Sequence, residues 1–411
     1  MVTTTQIPRV IHHALMLNLH QPHGNLETLL HEKPSEARDI LYAYDRISRS
    51  LWPHEDVAKI HLTLSGSLLQ TLSCPSFQEA VYGIVDCGSL LWHLQNEKII
   101  HILGTAFYHP ILPLIPETDW EAQIYRWQLM ARHLFWRESY PGFWPPELGF
   151  SMEMIPYLAR MGYRYVVVDS DQIVPLTEMN DADRAFSPHL ARFNESSIVV
   201  IPRDRSLSEA LSAGMSYRDF EAEVILRTRD CQGQPLVMTA CDAENGAWFR
   251  NTHATDNFWG AFYEPLLLAA KASGPIQPIH LHEVLDQDAP FGEVEVTSGS
   301  WNIDAKEGSG FGRWTATPSQ QLTLERLRRV SQALHKAFQE ASLREMGGQE
   351  SKALEEAHDH LLRAETSCNF YWGDDWVARA HRDLDATEMT LQKFCAKKYL
   401  IDADPGWFVG A

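Results

Sequence analysis

The stretch IHHALMLNLHQP, residues 11–22, begins with a largely apolar run at 11–19 and continues directly into His20, Gln21 and Pro22. A short apolar run that ends in polar residues is typical of a buried strand followed by a loop. Several further runs repeat this pattern, separated by longer segments with helical periodicity. We therefore predict strands at 11–19, 58–65, 97–105, 142–148, 163–169, 197–202 and 235–241.

Strands that alternate with helices need crossover connections, and these produce a parallel sheet. The seven predicted strands fit a closed or nearly closed (β/α)7 barrel, a distorted TIM-like fold, better than they fit an open sheet. Within this unit, the gap before residue 197 reads as a loop. The helical segments are predicted at 36–50, 77–95, 119–138, 152–161 and 206–228.

The pattern changes after Asp242. Residues 300–318 read as a loop that contains Gly, Trp and Ser, and 319–400 read mostly as long amphipathic helices. We therefore expect a barrel domain at 1–300. We expect a C-terminal helical region at 301–411 that packs on the barrel and contributes to the active-site cleft.

The composition is that of an ordinary globular protein, with 45% hydrophobic residues and a formal net charge of −19. This acidic balance argues against nucleic acid or an anionic membrane surface as a partner, since both need basic patches. It does not argue against a neutral sugar. The N-terminal stretch lacks the features of a signal peptide, and no apolar run reaches the roughly 18 residues of a membrane span.

The six cysteines are dispersed, and none forms a CxxC pair. Such spacing predicts reduced thiols in a cytoplasmic protein and indicates neither a zinc ribbon nor a redox site. No HxH or HExxH pair accompanies His20 or His109, so we expect neither a metal nor another cofactor. The sequence does not indicate an oligomeric state.

Polar and aromatic residues collect where the predicted strands end. In parallel barrels the active site is built at the carboxyl ends of the strands, from the loops that follow them. We therefore expect these side chains to lie near one another. They include His20 and Gln21, Ser65, His109, Glu147, Asp169, Arg203, Asp242 and Glu244.

Two carboxylates in this set, Glu147 and Asp242, follow different strands and have apolar neighbours. Glu147 stands in GFWPPELGFS, residues 142–151, where Pro145 and Pro146 stiffen the chain. A carboxylate in such surroundings is costly to bury without partners. A single Asp or Glu of this kind is more often a salt-bridge partner or a helix cap. Two at the ends of different strands match the carboxyl pair that glycoside hydrolysis requires.

Five short segments together resemble glycoside hydrolase family 57, whose members act on α-glucans and related α-glycosides. The segments occur in the same order as in that family and extend over most of the chain. Each is a weak signal by itself, but five in order are specific. They are NLHQP (18–22), LGTAFYHPILPLI (103–115), FWPPELGFS (143–151), CDAENGAW (241–248) and AETSCNFYWGDDW (364–376).

This resemblance implies a seven-stranded barrel followed by helices, and a retaining hydrolase or transglycosylase on α-glucans. Glu147 would be the catalytic nucleophile and Asp242 the acid/base. His20 and His109 would contact sugar hydroxyls. The other candidates for substrate binding are Gln21, Trp144, Glu244, Trp248, Trp301, Trp372 and Asp374. The expected partner is therefore an oligosaccharide or polysaccharide.

The sequence departs from the family pattern at two places. Asn18 stands where the first segment often has a second His, and Cys368 and Asn369 follow Ser367 where an Asp is usual. These changes leave open a carbohydrate-binding or regulatory protein that has lost turnover, and an enzyme with α-galactosidase-type specificity. A metal-dependent deacetylase on a similar barrel is a further alternative, but it would need an Asp and two His in ligand spacing.

Overall fold

The computed structural model describes residues 9–301, 310–343 and 348–402. In these ranges, no helix combines the length and the apolar character needed to cross a bilayer. The strands in the described ranges are β1 (Ile11–Leu19), β2 (Ile60–Leu64), β3 (Ile100–Ile102), β4 (Gly142–Phe143), β5 (Tyr165–Asp169), β6 (Ile173–Pro175), β7 (His189–Phe193), β8 (Ser196–Arg203), β9 (Leu236–Asp242), β10 (Ile276–Pro278) and β11 (Glu293–Val296).

Seven parallel strands form a closed barrel in the order β1-β2-β3-β4-β5-β8-β9. The closure between β3 and β4 rests on Gly104, whose N–H donates to the Gly142 carbonyl at 2.9 Å and whose carbonyl accepts from Trp144 N–H at 2.7 Å. β10 extends the sheet beside the first half of β1. The predicted seven-stranded barrel is therefore confirmed.

The barrel strands are buried on both faces because helices cover the outside and side chains fill the inside. β1 shows this best, since eight of its residues are buried and only His12 is half-buried. Continuous apolar runs are the sequence pattern of such strands. This explains why the barrel strands could be recognised without any alternation of polar and apolar residues.

The expected loop before residue 197 is wrong, because this segment contains strands and a helix. β7 pairs antiparallel with β8, and β11 joins β7 to β6 in a small sheet beside the barrel. β7 has the sequence HLARF, in which buried and more exposed residues alternate. That pattern belongs to a strand covered on one face, and it is harder to recognise than an apolar run.

Helices connect the barrel strands, and two of the predicted helical segments are each split in two. The break in 206–228 lies near Gly214, whose φ of +103° favours glycine and ends the first helix. The helices of this part are Asn25–Glu32, Pro34–Leu51, Gly66–Ser73, Pro75–Val81, Cys87–His93, Glu117–Phe135, Met154–Arg160, Asp181–Phe186, Arg205–Ser212, Tyr217–Thr228, Gly246–Arg250, Glu264–Lys271 and Leu281–Gln287.

The C-terminal part is helical, as predicted, and has a hydrophobic cluster of its own. Ile111 and Trp314 belong to that cluster, so residues next to the barrel take part in it. Residues 302–309 of the expected loop 300–318 lie outside the described residues, and its described part contains a short helix at Gly312–Thr315. The helices here are Gly312–Thr315, Pro318–Leu343, Gly348–Ala364, Cys368–Tyr371 and Asp374–Asp402. The division of the chain at 300/301 stays a prediction.

Candidate active site

The loop after β4 fixes the direction of Glu147. Pro145 and Pro146 lead into a turn in which Glu147 and Leu148 both have left-handed backbones, with φ of 56° and 49°. Such conformations cost non-glycine residues about 1–2 kcal/mol each, so surrounding contacts must hold them. Hydrogen bonds to the segment 299–301 do so: Trp301 N–H donates to the Glu147 carbonyl at 3.0 Å, and Phe150 and Gly299 exchange two bonds.

Both carboxylate oxygens of Glu147 accept hydrogen bonds. Trp301 donates from Nε1 to Oε2 at 3.0 Å, and Ser367 donates from Oγ to Oε1 at 3.0 Å. His109 Nδ1 lies 3.6 Å from Oε1 and 3.2 Å from the Ser367 hydroxyl. Since burial lowers the pKa of His109 to about 3, its ring is neutral, and its Nδ1–H donates to Ser367. Glu147 is thereby oriented from both sides.

His20 and His109 stack on one another with ring centroids 3.9 Å apart. His20 Nδ1 hydrogen-bonds the hydroxyl of Ser65 at 2.8 Å, and its Nε2 lies 3.5 Å from the sulfur of Cys368. Burial and the neighbouring His109 lower the pKa of His20 well below its usual value. Two neutral rings therefore form one wall near Glu147, and of their nitrogens Nε2 of His109 has no hydrogen-bond partner among the described residues.

Asp242 ends β9, and its carboxylate is held by two amides. Asn18 Nδ2 donates to Oδ1 at 2.8 Å, and Asn245 Nδ2 donates to Oδ2 at 2.9 Å. Asn18 is in reach because β1 and β9 pair in a register that places it opposite Asp242. Beyond Asp242, the carboxylate of Glu244 accepts the backbone N–H of His20 at 3.2 Å.

A cleft of about 470 Å³ runs between the strand ends and the C-terminal helices. It brings together eight of the predicted site residues, namely Glu147, Asp242, His20, Gln21, His109, Glu244, Trp301 and Trp372. A larger cavity of about 670 Å³ lies beside Arg46 and Trp259, but its described lining includes none of the strand-end carboxylates. The smaller cleft is therefore the candidate active site.

Three predicted residues do not line this cleft among the described residues. Trp144 is fully buried and packs perpendicular to Trp301, with ring centroids 5.5 Å apart. Trp248 is half-buried against the barrel core, and Asp374 is exposed in the first turn of the last helix. Trp144 therefore supports a wall of the cleft from behind. A role of the other two in binding stays a prediction.

Other lining residues were not selected from the sequence. Asn18 and Cys368 were noted only as departures from the family pattern, and Ser367 only as part of the fifth segment. Arg313 lies close enough for its positive charge to lower the pKa of Glu147. Arg313, Ser367 and Cys368 lie in the last third of the chain, where no local pattern marked them as cleft residues. Three aromatic residues that line the cleft were also not selected from the sequence, namely Trp314, Tyr371 and Trp376.

Carboxyl groups in this cleft hold protons at unusually high pH. Burial, and then the negative charge of Asp242, raise the pKa of Glu147 to about 7. Burial followed by the same charge raises the pKa of Glu244 to about 8. Burial also raises the pKa of Asp242 itself, against the opposing effect of the two Asn amides. The cleft therefore contains titrating carboxyl groups near neutral pH, which is typical of functional sites.

A family model described as glycosyl hydrolase family 57 matches residues 16–296. This chain belongs to glycosyl hydrolase family 57. The matched range runs from the second half of β1 to the end of β11, and so it includes Glu147 and Asp242 but not Trp301 or the C-terminal helices.

Curated relatives match only part of the chain. An α-amylase from Dictyoglomus thermophilum is 27% identical over 161 residues, which are 39% of this chain and 21% of that protein. This chain thus covers about a fifth of the length of that relative. The activity and substrate of the relative therefore do not transfer directly to this chain.

Solved structures of similar fold extend over nearly all of this family 57 chain. An α-amylase from Thermotoga maritima aligns with a TM-score of 0.68 and 14% identity, over 96% of this chain and 94% of its own. A 4-α-glucanotransferase from Thermococcus litoralis aligns with a TM-score of 0.65 and 19% identity, over 91% of this chain and 57% of its own. These similarities support the barrel with its helical C-terminal part.

Proposed function

We propose that this protein is a retaining glycoside hydrolase or transglycosylase that acts on α-glucans, with Glu147 as nucleophile and Asp242 as acid/base. One observation carries the proposal: these two carboxylates follow different barrel strands and line the same cleft. Family membership supports the reaction class, and the amylase and glucanotransferase named above support the substrate class.

In the first step, ionised Glu147 attacks the anomeric carbon while Asp242 gives its proton to the glycosidic oxygen. The carbon–oxygen bond to the leaving group breaks as the bond to the Glu147 oxygen forms. In the second step, Asp242 removes a proton from water or from a sugar hydroxyl, which attacks the same carbon and releases Glu147. Water gives hydrolysis, and a sugar hydroxyl gives transfer.

The first step requires that Glu147 and Asp242 together carry one proton, and the raised pKa values of these two groups are consistent with that requirement. Burial and the negative charge of Asp242 raise the pKa of Glu147 to about 7, and burial raises the pKa of Asp242, so proton binding by this pair extends toward neutral pH. The productive form has that proton on Asp242. The donors Trp301 and Ser367 favour the ionised form of Glu147 and keep it aimed.

The test is product analysis on maltoheptaose, amylose and a simple α-galactoside. Wild type is compared with Glu147→Gln and Asp242→Asn, which keep the size of each side chain. The matched control is Glu153→Gln, because Glu153 is exposed and lies six residues after Glu147 in the sequence. We expect turnover of the glucans and a loss of about 10³-fold or more in both cleft variants. NMR of the first product should show the anomeric configuration of the substrate.

The products also separate the remaining alternatives. Longer chains indicate transfer, shorter chains alone indicate hydrolysis, and new branch points indicate branching activity. Preferred cleavage of the galactoside would replace the α-glucan part of the proposal. Binding of maltoheptaose without any turnover would favour a binding protein, for which the altered position Cys368 in the cleft is the motivation. Activity of Glu147→Gln close to wild type would overturn the assigned roles.

A further inference from the structure

A cluster of side chains that can bind a metal ion lies away from the cleft, where the barrel meets the C-terminal helices. Asp119 comes from the helix Glu117–Phe135, and His335 and His358 come from two helices of the C-terminal part. His335 Nε2 lies 2.6 Å from Asp119 Oδ1, and His358 Nε2 lies 3.9 Å from the same oxygen. All three ligand atoms lie within 4.8 Å of one another.

The Nε2 atom of His358 faces Asp119 Oδ1 without forming a hydrogen bond. This nitrogen is buried and has no hydrogen-bond partner among the described residues. Neutral imidazole is the form that binds metal ions. A buried nitrogen without a partner is costly, and a bound cation would satisfy it.

A second carboxyl group, Glu365, is buried next to Asp119. Glu365 is 1% exposed, and its Oε1 has no hydrogen-bond partner among the described residues. The carboxyl groups of Glu365 and Asp119 lie close enough to interact directly. Two carboxyl groups that approach one another out of water repel unless a proton or a cation lies between them.

The surrounding contacts orient these side chains. Ser331 Oγ donates to Asp119 Oδ2 at 2.6 Å, which leaves Oδ1 facing the two histidines. Gln123 Nε2 donates to Glu365 Oε2 at 2.7 Å, which leaves Oε1 as the free atom. Metal ligands are commonly held by a second set of hydrogen bonds of this kind.

We propose that Asp119, His335 and His358 bind a divalent transition-metal ion of the zinc class, with the buried carboxyl group of Glu365 beside them. Two imidazoles and a carboxylate are ligands that Zn²⁺ accepts, at about 2.0–2.2 Å. The three atoms would close around the ion by small side-chain shifts. The ion would join the barrel helix to two C-terminal helices and neutralise the buried carboxylates.

The sequence predicted no metal because these ligands have none of the short spacings that mark metal sites. Asp119 and His335 are 216 residues apart and meet only in the folded chain. A second group, His280, His282 and Glu283, also has suitable atoms close together. There, however, Lys59 Nζ donates to both oxygens of Glu283, at 2.6 and 2.7 Å. That group serves as the control.

The test measures metal directly and does not depend on turnover. Tag-free wild-type protein from zinc-supplemented cells is desalted and analysed for all transition metals by mass spectrometry. Metal-free protein is then titrated with Zn²⁺ and with Co²⁺, whose visible absorption reports four-coordinate binding. Melting temperature is followed throughout. The variants are His358→Ala and Asp119→Asn, and the matched control is His282→Ala.

We expect about one equivalent of metal in wild type and in His282→Ala, and a loss of that metal in His358→Ala and Asp119→Asn. Removal by a chelator should lower the melting temperature of wild type by about 5 °C or more, and added Zn²⁺ should restore it. Because the wild-type measurements stand alone, misfolding of a variant would not hide the answer. Wild type that takes up neither ion, or metal lost in His282→Ala but kept in His358→Ala, would overturn the site.

Discussion

Trp301 is joined to Glu147 twice, through its indole and through its backbone. Nε1 donates to Oε2 and the backbone N–H donates to the Glu147 carbonyl, both at 3.0 Å. The guanidinium of Arg203 lies 5.2 Å from the centre of the Trp301 ring and forms a buried ion pair of 2.8 Å with Asp169. The barrel therefore positions the carboxylate through a residue that is remote in sequence.

Trp301→Phe should lower kcat by about 10–100-fold, because a hydrogen bond to a charged group contributes about 1.5–3 kcal/mol. Loss of this donor disfavours the ionised form of Glu147, so its pKa should rise. Since the nucleophile must be ionised, the acidic limb of the pH–activity profile should move to higher pH. The measurement is kcat on maltoheptaose across pH.

The matched control for this prediction is Trp136→Phe, since Trp136 is 83% exposed and lies away from the cleft. Its kinetics and pH profile should equal those of wild type. An unmoved acidic limb in Trp301→Phe would show that the indole N–H does not act on the charge of Glu147.

Glu244→Gln should change how stability depends on pH. The folded chain raises the pKa of Glu244 to about 8, whereas an unfolded Glu titrates near 4.3. Between these values the folded protein keeps a proton that the unfolded chain releases, so the free energy of unfolding falls as pH rises. Gln does not titrate, and the variant should be more stable than wild type by about 2–4 kcal/mol above pH 8.

Urea denaturation at pH 4.5 and 8.5 measures this difference. The two proteins should be most similar at the lower pH, where Glu244 is protonated in the folded protein and partly protonated in the unfolded chain. Glu153→Gln is the control, because that side chain is exposed and its replacement should leave the wild-type dependence intact. Parallel curves for Glu244→Gln and wild type would contradict the raised pKa.

Trp372→Ala should raise KM for maltoheptaose by roughly 10-fold and change kcat by less than about 3-fold, as expected for a stacking surface. Trp372 is 59% exposed, lines the cleft and packs perpendicular to Tyr371 at 4.7 Å. Because the ring is largely exposed, the free energy of unfolding should hardly change. The measurement is KM and kcat for maltoheptaose, with Trp136→Ala as control. An unchanged KM in Trp372→Ala would show that Trp372 does not contribute to substrate binding.

Gly104→Ala should destabilise the fold by about 1–3 kcal/mol. Gly104 closes the barrel between β3 and β4, and an added methyl group would overlap the ring of Tyr163. Gly83→Ala is the matched control, since a methyl group there meets nothing within 4 Å. Urea denaturation of both variants gives the comparison. Equal midpoints for the two would mean that the strands adjust around residue 104 without cost.

The barrel strands were predictable because strands buried on both faces read as short apolar runs. β7 was not, since HLARF alternates and its pairing depends on a sheet beside the barrel. Glu147 and Asp242 were found by their position after strands. Asn18 was noted only as a departure from the family, because its bond to Asp242 depends on the register of β1 against β9. Sequence carries no direct record of register.

The aromatic candidates show the same limit. Trp301 and Trp248 both stand near polar motifs, but Trp301 turns to Glu147 while Trp248 turns to the core. Ser367 reaches Glu147 from the C-terminal helices, 220 positions away. Which face of a short helix meets the cleft is decided by packing between distant elements, so spacing along the chain cannot reveal it.

Ser367 also ties the two halves of the molecule together where the chemistry is proposed. Its backbone N–H donates to the His109 carbonyl at 3.1 Å, and its hydroxyl donates to Glu147. Moving these helices away from the barrel would remove one of the two side-chain donors to Glu147. Under the proposed function, a sugar chain would therefore enter and leave along the length of the cleft, past the exposed Trp372, without separation of the helices from the barrel.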